Sequence, residues 1–361
     1  MKIVAKNENR RRRLFFLFTF VCLGIIQTAM GQNTNSLGTP DKVSRLFQSE
    51  EVLSIRMRYS SREVRSKTND STYISTSLAY MLEDGSWDSL EVRLRGRGNF
   101  RRNNCYFTPI KLKIDKSASA GTLFEGNKKL KLVLPCFRDD QKYDNILKEY
   151  IAYKLYEQVS PYHFKTRLVR IDFEELRSAK TRSHQLLGIL IEDTKKLAKR
   201  HDGHVIKRSL RALGQDAMSS VRNNMFNFMI GNTDYSTTYQ HNQKLLFIDK
   251  KLIPVPYDFD MSGLVDASYA VVSNVQNLRL NISEVTERMY KGYERDPKVY
   301  EQVRTEFINN KAELMKIVDE HQAQFNSQRA FATAKKFLLG FFNIVESDTR
   351  FNKDIIAYMR S

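Results

Sequence analysis

Gly231-Asn232-Thr233-Asp234 and, further on, Pro256-Tyr257-Asp258-Phe259-Asp260 are the two stretches from which the rest of the chain is read. The first closes an apolar helical run, Met218 to Ile230, with a glycine where a helix commonly ends. Asp258 follows a strand-like run, Leu252 to Tyr257. Between them, Lys244–Ile248 and Leu252–Pro256 flank the short polar stretch Asp249-Lys250-Lys251, which predicts a β-hairpin. A hairpin returns its two ends to one place. Asp234, Asn242 at the hairpin entrance and Asp258 at its exit are therefore expected together. Two carboxylates and an amide offer hard oxygen ligands for a divalent ion and a group that orients a hydroxyl, as phosphoryl transfer requires. Each residue also has a plainer reading: Asn and Asp are ordinary turn residues after a helix, and Asp258 and Asp260 could cap the next segment.

The 361 residues suffice for one large or two-lobed domain, and 41% hydrophobic residues for a core. The formal net charge is +18, of which residues 1–31 carry +5 (six Lys/Arg against Glu8). So basic a chain suggests an anionic partner, such as a glycan or lipid surface or a nucleotide; charge scattered over a solvated surface is the alternative. Arg10 to Arg13, the apolar run Leu14 to Ile26, and Ala29-Met30-Gly31 form a signal-peptide pattern. The apolar run is shorter than the roughly 20 residues of a spanning helix. We expect export to a periplasm, cell surface or exterior, with cleavage near Gly31, and a polar linker over 32–42. An uncleaved anchor is the alternative. Export, and the lack of any nucleic-acid-binding module, argue against nucleic acid as partner. Cys105 and Cys136 remain after cleavage. An oxidising compartment permits their pairing; two buried free thiols are the alternative.

From 43 to 193 the pattern is mainly β. Strand-like runs cover 52–59, 73–82, 90–94, 109–114, 130–134, 167–173 and 186–191. Arg95-Gly96-Arg97-Gly98-Asn99 follows a strand, as either a tight turn or a place where backbone N–H groups approach phosphate. In the run 109–114, Ile110, Leu112 and Ile114 share one face, and Lys111 and Lys113 the other. Residues 145–159 read as a helix, with Leu147, Ile151, Leu155 and Val159 on one stripe and Glu149 at its edge, by default a surface carboxylate. From about 194 the chain reads as mostly helical, with helices expected over 215–230, 282–290, 297–318 and 322–346. The outline is an α+β, two-lobed, protein-kinase-like fold: a β-rich N-terminal lobe (43–193) and a mostly helical C-terminal lobe (194–361).

The runs Asn227 to Asp234, His241-Asn242 and Pro254 to Asp260 resemble the catalytic half of atypical kinases of the CotH and HipA type, and Arg95-Gly96-Arg97-Gly98-Asn99 resembles an element of CotH proteins. The chain also resembles a group of exported bacterial proteins over most of 90–345. The resemblance implies a secreted phosphotransferase using ATP and Mg²⁺ or Mn²⁺. It casts Asp234 as catalytic base, Asn242 and Asp258 as metal ligands, and Asp260 as accessory ligand. Lys111, with Lys113 as its rival, would pair with nucleotide phosphates, Arg97 would lie beside them, and Glu192 near a hinge. The acceptor, protein or small molecule, stays open. A catalytically inactive module of that fold, binding an anionic surface or envelope component, is the alternative.

Overall fold

The computed structural model describes residues 43–98, 100–138, 141–178, 180–273, 275 and 280–361. The expected signal peptide and linker lie outside the described residues. Seven strands come first: β1 (Leu53–Tyr59), β2 (Ile74–Met81), β3 (Trp87–Gly96), β4 (Ile110–Lys113), β5 (Lys129–Val133), β6 (Thr166–Leu176) and β7 (Thr181–Glu192). They form a closed barrel in the order β1-β2-β3-β4-β5-β7-β6. Closure depends on β6 returning parallel to β1, with Ile55 opposite Ile171 and Met57 opposite Phe173. Period-2 alternation fills the barrel: Ile55, Leu78, Leu94, Ile110, Leu112, Leu132 and Leu190 are fully buried in one cluster. Gly188 in β7 has no room for a side chain, since a Cβ there would lie 2.8 Å from the Val133 carbonyl oxygen.

Three short helices, α1 (Ser61–Lys67), α2 (Phe100–Asn104) and α3 (Lys116–Ser119), join barrel strands. The disulfide Cys105–Cys136 ties the chain after α2 to the end of β5. Closing its 31-residue loop contributes about 3.7 kcal/mol. Helix α4 (Gln141–Val159) is buried nearly all round, by Leu147, Tyr150, Ile151, Tyr153, Leu155 and Tyr156 together with Lys148 and Glu149. A helix without a solvent face lies between two layers. One is the outer side of the barrel (Val133, Leu168, Ile189, Ile191), and the other is the later chain (Val221, Phe226, Phe259, Phe341); all share one apolar cluster with α4.

The expectation of a two-lobed, protein-kinase-like fold is not met. The N-terminal strands close into a barrel instead of forming a separate sheet lobe, and the barrel's outer side shares its core with the C-terminal helices. Alternation in sequence reports which face of a strand is buried, but not which strand its edge pairs with. The closing β1–β6 contact is a non-local pairing with no local signal.

The rest comprises α5 (Thr194–Arg200), β8 (His204–Ile206), α6 (Ala217–Met229), β9 (Gln243–Ile248), β10 (Lys251–Pro256), α7 (Pro297–Asn309), α8 (Lys311–Glu320), α9 (Gln328–Val345) and α10 (Asp348–Asp354), with β10, β9 and β8 forming a small sheet. The helix expected over 282–290 is absent. The Glu287 carboxylate takes the N–H groups of Ser283 and Glu284, both at 2.9 Å, and fixes a turn. The run 297–318 is divided at Asn310, and the last long helix begins only at Gln328. There the Asp144 carboxylate takes the N–H groups of Asn326 and Ser327. Among the described residues no helix is long and apolar enough to cross a membrane.

Glu157, near the end of α4, anchors this helix to β6. Its carboxylate receives Lys154 Nζ at 2.7 Å and Lys165 Nζ, with His163 Nε2 at 3.3 Å. Burial pushes its pKa up, but His163, Lys154 and Lys165 outweigh that and hold it well below the ordinary value of 4.5. A carboxylate depressed in the folded state stabilises above its unfolded value and loses that contribution as pH falls below it. Glu157→Gln is therefore expected to cost about 3 kcal/mol in urea unfolding at pH 7. The gap to wild type should narrow steadily below about pH 4. A pH-independent gap would refute the ion-pair account.

Candidate functional site

Helix α6 delivers Asp234. The Asp216 side chain caps it at the start by accepting from Ser219 N at 2.9 Å. Gly231 ends it at φ +63°, where a Cβ would also lie 2.8 Å from the Phe337 ring. The loop beyond is held from both sides. Asn232 Oδ1 accepts from Asp234 N at 3.0 Å, and the buried Lys291 Nζ donates to the carbonyls of Thr233 (2.6 Å) and Tyr235 (2.9 Å). Burial pushes Lys291 down to about 8. The Asp234 carboxylate accepts from Ser273 Oγ (2.9 Å) and Asn242 Nδ2 (2.9 Å), and His241 Nε2 lies 3.2 Å away. Burial works to raise its pKa, but His241, Ser273 and Lys291 outweigh burial and hold it below the ordinary range. Asp234 is thus an ionised acceptor in a mostly buried setting. His241 is raised in turn, chiefly by its hydrogen bond to Asp234.

The hairpin forms as expected. Its turn residues Asp249 (φ +48°) and Lys250 (φ +60°) are both left-handed, as a two-residue hairpin turn requires. At the open end, Tyr257 N donates to the Asn242 carbonyl at 3.1 Å, so Asp258 stands beside Asn242. Asn242 (φ +47°) and Asp258 (φ +67°) are left-handed too, a conformation that few non-glycine residues adopt and that collects at functional sites. Asp258 N donates to Tyr153 Oη of α4 at 2.9 Å. Asp234, Asn242 and Asp258 are thereby brought together.

The other expected residues divide. Arg97, just past β3, places Nη2 3.9 Å from the Asp258 carboxylate. Lys111 is half-buried, with its pKa lowered chiefly by desolvation, and pairs across the sheet with Lys131. Lys113 lies one row further along, its Nζ 5.7 Å from the Tyr73 ring centre. Glu192 is buried against Arg200 (2.9 Å) and accepts from Lys165 N (3.2 Å), an ion pair that joins the end of the barrel to α5. Asp260 turns to a second cluster: Tyr269 Oη donates to it at 3.0 Å, and Arg101 Nη1 lies 3.7 Å from it and 3.8 Å from Glu149. Glu149 is 1% exposed, contrary to the surface position expected of it. Burial raises Asp260 to about 6 and raises Glu149 well above the ordinary range. Among the described residues, Arg101 Nε and Nη1 and Glu149 Oε1 find no hydrogen-bond partner.

The residue that sequence reasoning missed is Lys131 of β5. Its Nζ is buried and donates no hydrogen bond among the described residues, lying 4.2 Å from the Tyr257 ring centre and 4.8 Å from that of Phe164. Desolvation, then Arg97, drives its pKa well down, while Asp258 pulls it up. The alternation Leu130-Lys131-Leu132 was visible, but so was that of Lys111 and Lys113. Nothing local shows which lysine a later tyrosine will cover.

Among the described residues no group of three or more His, Cys, Asp or Glu side chains is placed to hold a metal ion. The donor set here is smaller but suits Mg²⁺, which is commonly held by one or two protein oxygens plus phosphate and water. The Asp258 carboxylate has Arg97 only at 3.9 Å, beyond hydrogen-bond reach, and is partly exposed. Asn242 gives its Nδ2 hydrogens to Asp234, which leaves the amide oxygen for a ligand. Comparison with models of known protein families finds no match, and comparison with curated proteins finds none either.

Proposed function

We propose that this protein is a phosphotransferase that moves a phosphoryl group from a nucleoside triphosphate, ATP in the first instance, to a hydroxyl acceptor with the help of Mg²⁺ or Mn²⁺. The observation that carries this reading is the meeting of Asp234, Asn242 and Asp258 at the open end of the β9–β10 hairpin, with Lys131 and Arg97 supplied from the barrel. The motif resemblance to CotH and HipA enzymes supports the same chemistry, here on a barrel scaffold.

In this reading Asp234 orients the acceptor hydroxyl and takes its proton. Its low pKa keeps it ionised, and the Ser273 hydroxyl already makes the kind of hydrogen bond that an acceptor would make. Asn242 holds the Asp234 carboxylate in place. The Asn242 amide oxygen and Asp258 would hold the divalent ion, which when bound neutralises charge on the phosphoryl oxygens. Lys131 and Arg97 add positive charge to the donor phosphates, and the buried ammonium gains the partner it lacks. The disulfide supports action in an oxidising, exported setting.

The test is the melting temperature of the purified chain with ATP, ADP and GTP, with and without Mg²⁺ or Mn²⁺. A ligand at 100 times its Kd stabilises by about 2.7 kcal/mol. A metal-dependent rise is expected; no rise with any nucleotide sinks the proposal.

A further inference from the structure

Helix α6 buries asparagines where an apolar stripe would serve the packing. Asn223, Asn224 and Asn227 are at most 1% exposed, among Val221, Met225, Phe226 and Phe228. Asparagine is a poor helix former, and a buried amide costs free energy unless it is hydrogen-bonded. Here the amides join into one chain. Asn232 Oδ1 accepts from Asp234 N at 3.0 Å, and Asn232 Nδ2 donates to Asn227 Oδ1 at 2.8 Å. Asn227 Nδ2 donates to Asn223 Oδ1 at 3.1 Å, and Asn223 Nδ2 donates to Gln243 Oε1 at 2.8 Å. The Asp234 N–H can only donate, so it turns Asn232 oxygen first and thereby sets the direction of every later amide. The last of them, Gln243, is fully buried, and its Nε2 has no partner among the described residues. Asn223 and Asn227 stand four apart and share one helix face. Gln243 opens β9, next to Asn242 and opposite Pro256, two residues ahead of Asp258. The amides thus run from the loop of Asp234, along α6, to the base of the hairpin that carries Asn242 and Asp258.

We propose that this amide relay positions Asp234 against Asn242 and Asp258, with Asn227 as its central positioning residue. Leucine at position 227 would fill the helix interior with better helix propensity and no amide to satisfy, so packing alone does not call for asparagine. A fully hydrogen-bonded buried network does what leucine cannot: it admits one arrangement of the groups at its ends. Asn232 is held to Asn227 twice, by its side chain and by its backbone N–H on the Asn227 carbonyl, both at 2.8 Å. Asn242 holds the Asp234 carboxylate, and the relay holds the backbone from which that carboxylate projects. The effect on turnover rests on the phosphotransferase reading; the effect on the Asp234 backbone does not.

The test compares the full wild-type chain with Asn227→Leu and Asn227→Asp. It reads hydrogen exchange at the Asp234 amide, and kcat and KM for Mg²⁺-ATP with water as the acceptor. Asn227→Leu removes both side-chain links. In Asn227→Asp, at about pH 6, burial keeps the new carboxyl protonated, so that it accepts from Asn232, donates to Asn223 and rebuilds both links. Asn227→Leu should exchange the Asp234 amide about tenfold faster, through local opening of the loop. It should lower kcat about a hundredfold, the usual effect of a displacement of about 1 Å at a reacting group. KM should stay within about twofold, because Asp258, Lys131 and Arg97 are untouched. Asn227→Asp should restore both exchange and kcat. Should Asn227→Leu fail to fold, Asn232→Ala cuts the relay outside the helix and should give the same two changes. Unaltered exchange and kcat in Asn227→Leu, equal losses in both variants, or a raised KM with unchanged kcat would each overturn the proposal. A wild type with neither turnover nor a nucleotide-induced melting shift would sink the phosphotransferase reading, and amide exchange would then decide the relay by itself.

Discussion

Asp258→Ala is expected to abolish the metal-dependent rise in melting temperature with nucleotide, whereas Asp234→Asn keeps that rise and loses turnover. The two aspartates stand at one end of a hairpin but do different work. Asp258 is partly exposed, with no partner in hydrogen-bond range among the described residues, so its oxygens are open to a cation. Asp234 is enclosed by Ser273, Asn242 and His241, and its oxygens are arranged around hydrogen donors. Loss of a general base typically costs 10²- to 10⁴-fold in rate, and Asp234→Asn should fall by about that much. Asn preserves the shape of the side chain, so the hydrogen bonds of the loop can largely rearrange around it. Nucleotide binding by Asp258→Ala with undiminished metal dependence would refute the site, as would full turnover by Asp234→Asn.

A second large effect is expected at Lys131, with opposite signs on function and stability. Its Nζ is buried without a hydrogen bond among the described residues, which costs on the order of 1–3 kcal/mol for an unsatisfied donor. The rings of Tyr257 and Phe164 return part of this, about 0.5–2 kcal/mol. Lys131→Met fills the same space with no polar nitrogen to desolvate. The variant should therefore be more stable to urea than wild type by about 1 kcal/mol. It should bind ATP at least tenfold more weakly. Both changes in one variant mark a residue held against stability for a ligand. A less stable variant with unchanged ATP affinity would make Lys131 a structural residue.

The local elements of this protein were readable because they rest on local physics. The alternation of Leu130 and Leu132, the stripe on α4 and the glycine that ends α6 each announce their element within a few residues. The hairpin that joins Asn242 to Asp258 was readable for the same reason: a short polar turn between apolar runs has one compact solution. Where the helices departed from expectation, a carboxylate had captured backbone N–H groups, either from far along the chain or from within the same turn. Asp144 holds Asn326 and Ser327 out of a helix, and the Glu287 carboxylate captures the backbone ahead of it. Glu149 read as a surface residue because nothing near it in sequence says that Arg101 will lie against it.

By itself, then, the sequence determined the seven barrel strands, the β9–β10 hairpin, the long helices α4, α6 and α9, and the meeting of Asp234, Asn242 and Asp258. Only the tertiary structure decided that β6 closes on β1 to make a barrel, that Cys105 and Cys136 pair, and that Lys131 is the lysine buried beside Asp258. Periodicity is a property of neighbours along the chain, whereas closure, pairing and desolvation depend on surfaces that meet only after the chain has folded back on itself.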